Sequence, residues 1–145
     1  YDIKGRKYID SPYKYYFADL GLRNALIGFR QVEPTHCMEN ILYNYLTEQG
    51  YLVDVGNIFY IGKNETGKLQ RSTFEVDFVC NRGSERIYIQ SAYRLPDEDK
   101  LQQEQRSLML TGDSFRKMIL TTDNIPCHSL ENGIVVMNVY DYLLS

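Results

Sequence analysis

Ser72-Thr73-Phe74-Glu75-Val76-Asp77-Phe78-Val79-Cys80, then Asn81-Arg82-Gly83-Ser84, then Glu85-Arg86-Ile87-Tyr88-Ile89-Gln90-Ser91-Ala92-Tyr93 is the stretch that decides the fold. It reads as a β-hairpin. A strand alternates faces every residue, so Phe74, Val76, Phe78 and Cys80 are predicted on one face and Glu75, Asp77 and Val79 on the other. If Asn81 to Ser84 close the loop, Cys80 stands opposite Glu85, Asp77 opposite Tyr88 and Glu75 opposite Gln90. Two acids and an amide then crowd one patch of a sheet whose reverse is apolar.

Working outward on the N-terminal side, Pro34-Thr35 offers a helix start with Thr35 as the cap. Met38, Ile41, Leu42, Tyr45 and Leu46 follow at helical spacing, and Gly50 supplies the stop. Glu39 lies at the margin of that apolar stripe, from which a carboxylate can point at the sheet. Before this helix, residues 1–13 form a polar connector, Lys14 to Asp19 a short strand and Leu22 to Ile27 a helical turn ended by Gly28. Tyr51 to Gly62 reads as a long strand with a bulge or bend at Gly56-Asn57, and Lys63 to Arg71 as a polar hairpin loop.

On the C-terminal side, Pro96-Asp97-Glu98-Asp99 opens a second helix that runs to about Leu110, its acids placed where the helix dipole favours them. Phe115 to Thr121 and Gly133 to Tyr140 carry continuous apolar runs, the mark of buried strands. A helix crossover after the hairpin returns the chain parallel to an earlier strand. The predicted fold is therefore α/β, a mixed central sheet flanked by helices, in one domain spanning residues 1–145, with residues 1–34 leading into a core of 35–145.

Composition narrows the function. With 145 residues the chain can bury roughly two thirds of its unfolded surface without staples. Sixteen basic against nineteen acidic residues leave a formal charge of −3, which does not favour polyanions. Three cysteines, Cys37, Cys80 and Cys127, with no Cys-x-x-Cys pair, fit reduced thiols in a cytoplasmic protein. No apolar run approaches bilayer length, so no membrane is expected. A first residue of Tyr1 rather than methionine predicts a piece of a longer chain. His36-Cys37 and Cys127-His128 match no common zinc spacing, and Gly62 to Gly67 lacks the ending of a phosphate-binding loop.

The order of elements resembles the core of the PD-(D/E)XK nuclease-like fold, a restriction-endonuclease-like αβββαβ arrangement. More specifically, Lys14 to Asn24, His36 to Leu46, Gly50-Tyr51, Glu75-Val76-Asp77-Phe78 and Tyr88-Ile89-Gln90 resemble the C-terminal domain of unknown function that follows an AAA-type ATPase module in bacterial and archaeal proteins. The resemblance implies Glu39, Asp77 and Gln90 as the catalytic set, with Glu39 and Asp77 holding Mg²⁺. Gln90 stands where that pattern wants an acid, and Ala92 where it wants lysine. A neutral amide is a weaker Mg²⁺ ligand and an alanine moves no proton, so the resemblance implies a degenerate site. Lys100, Lys117 and Arg94 are the cations that could replace the missing one.

Two functions follow from the resemblance. The first is a catalytically silent interaction or nucleic-acid-positioning module, partnered by the upstream ATPase domain, with DNA or a second copy as further partners and no cofactor of its own. The alternative is an active Mg²⁺-dependent DNA endonuclease.

Overall fold

The computed structural model describes residues 14–30, 33–63 and 68–145. The expected connector at 1–13 and the tip of the loop at 64–67 lie outside the described residues. In chain order the elements are α1 (Leu20–Leu26), α2 (Pro34–Glu48), β1 (Leu52–Lys63), β2 (Leu69–Arg82), β3 (Glu85–Ala92), α3 (Glu98–Met109), β4 (Arg116–Thr121), β5 (His128–Ser129), β6 (Val135–Asn138) and α4 (Val139–Leu143). The strands form one six-stranded sheet in the order β1-β2-β3-β4-β6-β5. β1, β2 and β3 run antiparallel, β4 returns parallel to β3 after the α3 crossover, and β6 is parallel to β4. The mixed sheet with flanking helices is the architecture that the apolar patterning implied. β5, two residues at the edge beside β6, has too few positions to show a period, and the sequence reading missed it.

Helices cover both faces. α2 lays Met38, Leu42 and Leu46 against Phe78, Cys80, Ile87, Ile89, Met118 and Leu120, with Val139 of α4 on the same side. α3 lays Leu108 against Val76, Val79, Tyr88, Ala92 and Ile119 on the other. Each fully buried aliphatic or aromatic side chain contributes about 1.5–3 kcal/mol, so these two layers hold the sheet in place.

Local chemistry sets the helix ends. Asp97 accepts from the Lys100 amide at 2.8 Å and starts α3 as expected. α2 starts differently. Pro34 takes its first turn, where a missing N–H costs nothing, and Glu33 precedes it without a side-chain cap bond, so Thr35 is inside the helix and not its cap. Lys14 to Asp19, expected as a short strand, form no strand and run as irregular chain up to α1.

Two features of the hairpin depart from the expected register. The loop is two residues, not four: Arg82 pairs with Glu85, and Gly83 adopts φ +60, the first central position of a tight turn that glycine accepts without strain. This slides the pairing by two, so Cys80 faces Ile87 and Tyr88 faces Val79. The second departure is a bulge. Asp54 pairs with Val79 but Gly56 pairs with Val76, so Val55 spans two residues of β2, Asp77 and Phe78. A bulge or bend was expected at Gly56-Asn57, and the irregularity does fall beside Gly56, between Asp54 and Gly56; β1 itself runs unbroken there, and the extra residue sits across from it on β2.

The bulge splits the face expected to be continuous. Phe78 and Cys80 pack under α2, whereas Val76 and Phe74 pack under α3. Asp77 consequently shares the α2 side with Phe78.

Candidate functional site

The bulge brings Asp77 to the end of α2 that carries Glu39, and the coil at residue 14 crosses the same spot. Lys14 Nζ lies 2.7 Å from Glu75 Oε1, 3.1 Å from Asp77 Oδ1 and 3.4 Å from Glu39 Oε2. One ammonium therefore bridges three carboxylates. The Asp77 side chain is 9% exposed and its second oxygen accepts from the Ser91 amide at 2.9 Å, while Glu75 forms the outer rim at 41%.

The coil that delivers Lys14 is held by side chains of α2. Asn40 reads both backbone groups of Phe17: the Phe17 amide donates to Asn40 Oδ1 at 2.8 Å, and Asn40 Nδ2 donates to the Phe17 carbonyl at 2.7 Å. One turn on, Asn44 Nδ2 donates to that carbonyl at 2.9 Å and to the Ala18 carbonyl at 3.3 Å. Tyr16 turns inward and stacks on Tyr43, with ring centroids 4.3 Å apart, beside Phe78 at 6.1 Å. Tyr15 points out. Two buried polar atoms near this seam, Tyr16 OH and Ser91 Oγ, have no hydrogen-bond partner among the described residues. A cavity of about 310 Å³ opens next to Lys14 and Glu39, lined also by Tyr15, Arg23 and His36.

Charge is unbalanced here, three acids to one base, and the site titrates accordingly. Burial is the main influence on Asp77 and pushes its carboxyl up to about 6, with Lys14 and the Ser91 amide pulling the other way. Burial alone would lower the Lys14 ammonium, but Asp77, Glu75 and Glu39 together hold it above its usual value. The two directions agree, because a single cation stabilises its own charge among three acids without satisfying all of them. Burial likewise raises the Tyr16 phenol.

A pH dependence follows. The native Asp77 value lies above that of an unfolded aspartate, so the folded chain binds a proton that the unfolded chain lacks. Its contribution to stability is complete below about pH 4 and is lost as the pH rises through about 6, a change of up to about 3 kcal/mol. Urea titrations of the protein and of Asp77→Asn across pH 4 to 7 should diverge over that window. A constant difference between them would mean that Asp77 titrates as an ordinary carboxylate.

Of the three residues expected to act together, Glu39 and Asp77 share this site and Gln90 does not. Alternation along β3 turns Gln90 to the α3 side, where its Oε1 accepts from Ser107 Oγ at 3.2 Å and lines a larger hollow of about 680 Å³ with Phe74 and Arg106. Ser91, one residue on, is the β3 residue that meets Asp77. The cations expected to move in are engaged elsewhere: Lys100 with Glu104 at 2.5 Å, Lys117 with Asp113 at 3.1 Å and Arg94 with Asp123 at 3.9 Å. Lys14 takes that place. His36 sits at the start of α2 and pairs with Glu33 at 3.5 Å, and His128 lies on the edge strand β5.

Mg²⁺ requires near-octahedral oxygen ligands at about 2.0–2.1 Å. The point between Glu39, Glu75 and Asp77 is filled by Lys14 Nζ, and among the described residues no group of three His, Cys, Asp or Glu side chains is arranged to hold a metal ion. As arranged, the residues do not fit Mg²⁺. Among the described residues, too, no helix is long and apolar enough to cross a membrane.

Lys14, Tyr16, Asn44 and Ser91 escaped the sequence reading. The usable signal was Asn40 with Asn44, two amides one turn apart beside a buried stripe, which is an arrangement suited to gripping a neighbouring backbone. No family model and no solved structure matches the chain. Over 144 residues, 99% of its length, the chain is 30% identical to an uncharacterized protein of Haemophilus influenzae, of which it spans 32%, about a third.

Proposed function

We propose that this chain is a PD-(D/E)XK nuclease-like domain whose catalytic site is degenerate, and that it serves a longer cytoplasmic protein as an interaction or nucleic-acid-positioning module. The observation that carries this reading is Lys14 Nζ seated between Glu39, Glu75 and Asp77, the place a metal would need. An internal ammonium neutralises part of the acidic cluster but activates no water and accepts no ligand. Gln90, turned to the other face, removes the third member of the set. The helix, three antiparallel strands, helix and parallel strand support a restriction-endonuclease-like αβββαβ core. In this reading the partner is an AAA-type ATPase module of the same polypeptide. The greater length of the Haemophilus influenzae relative is consistent with a domain inside a larger protein.

The rival reading, an active Mg²⁺-dependent DNA endonuclease built on Glu39 and Asp77, requires Lys14 to leave. Supercoiled plasmid incubated with the protein in Mg²⁺ or Mn²⁺ should remain intact. Nicking by the parent that disappears in Asp77→Ala would establish the endonuclease and overturn the proposal.

A further inference from the structure

We infer that the chain pairs with a second copy of itself through a two-fold exchange, in which the apolar stripe of α1 on each copy enters the groove between α2 and α4 on the other. Neither surface includes a residue of the carboxylate cluster.

α1 has an apolar side and little to lay it on. Leu22 and Leu26 stand one turn apart, 62% and 71% exposed, and the helix has no buried residue. Gly28, at φ +64, turns the chain at the helix end, and the Phe29 amide donates to the Asn24 carbonyl at 2.7 Å, which fixes another exposed ring beside that end. A seven-residue helix gains little from its own hydrogen bonds and normally owes its stability to packing. Among the described residues little covers Leu22, Leu26 or Phe29.

The groove is the complementary half. Cys37, Met38 and Ile41 of α2 and Val139, Tyr140 and Leu143 of α4 line a hollow of about 220 Å³, room for a large apolar side chain. Ile41 and Tyr140 are both exposed on its rim. Apolar anchors spaced along a helix and set into an apolar groove are a common way for one chain to hold another.

Charge agrees with the match. Arg30 follows Phe29 and Asp141 follows Tyr140, both exposed and neither in an ion pair among the described residues, so each surface carries at its margin a charge that the other can answer. Area agrees as well. A stable interface takes roughly 800 Å² from each partner. One stripe in one groove falls short of that, whereas the exchange counts both contacts and encloses Leu22, Leu26, Phe29, Ile41 and Tyr140 of each copy. A closed two-fold pair also leaves neither surface open for further growth.

Light scattering on the full chain over a concentration series should show monomer passing to dimer. Leu26→Glu and Tyr140→Glu should each raise the dissociation constant about thirtyfold or more, the loss typical of a buried anchor. Both side chains are exposed in the single copy, so each variant should keep the parent's circular dichroism. The exchange also predicts what a simple apolar contact does not. An equal mixture of the two variants should dimerise better than either alone, because one of its two contacts is then built from two intact surfaces. Arg30→Glu should weaken the pair, and Asp141→Lys added to it should recover the loss. A parent that stays monomeric at every concentration, variants that pair as the parent does, or a mixture no better than its components would overturn the exchange.

Discussion

Phe78→Ala should lower the free energy of unfolding by about 3–5 kcal/mol, the usual loss for a large buried ring. Phe78 is fully buried, and it packs with Leu42 and Leu46 of α2 and with Ile89 of β3, so its removal leaves a void under the helix that carries Glu39. The void cannot collapse readily, because the bulge beside it fixes the course of β2 on one side and α2 spans it on the other. Tyr16 lies 6.1 Å away, so the same change should loosen the seat of the Lys14 segment as well. Phe59, on β1 and 48% exposed, is the control, and its alanine variant should stay within about 0.5 kcal/mol of the parent. Denaturant titration of the pair checks both values. A loss at Phe78 no larger than that at Phe59 would contradict its placement under α2.

Lys14→Met should cost about 3 kcal/mol, a figure set by the penalty for leaving buried charges uncompensated and not by the attraction of the pair itself. Methionine keeps most of the side chain's length and apolar stem, so the change isolates the ammonium. The lower end of the range applies because the lysine side chain is 26% exposed and water screens part of its charge. Without it, Glu39, Glu75 and Asp77 face one another with no cation among them. Asp77→Asn placed on the Lys14→Met background should recover a large part of the loss, since one of the two most enclosed acids becomes neutral. The double-mutant cycle should show coupling above about 1 kcal/mol. Additive effects would mean that Lys14 and Asp77 do not sense each other, and the site would have to be redrawn.

Much of the architecture was legible because periodicity reports burial. The α2 stripe of Met38, Leu42 and Leu46, the acidic start of α3 at Asp97 to Asp99 and the apolar runs of β4 and β6 all follow from simple patterning. The hairpin register was not, because Asn81 to Ser84 can be closed as four residues or as two, and the choice rests on Gly83 taking a positive φ. A glycine at the first central position of a two-residue loop was the available clue.

The bulge left no trace in the hydrophobic pattern. Both faces of the sheet are covered by helices, so Val76 and Phe78 are equally buried whichever side each takes. Gln90 was misplaced for the same reason: a polar residue among buried ones does not announce its face, and it found Ser107 on the far side. Lys14 was invisible for a different reason. It meets Asp77 across 63 residues of chain, from a segment with no period of its own, and only the assembled fold brings the two together.

Asp77 occupies the additional position in β2 opposite Val55, so the ladder does not need it. Loss of that one codon would leave Gly56 facing Val76 and Asp54 facing Val79, with every other side chain of the strand still on its present side. Fold and chemistry are thus inherited separately at this point. A lineage could discard the acid without disturbing the scaffold, and a chain that has kept it carries a residue whose presence pairing alone does not explain.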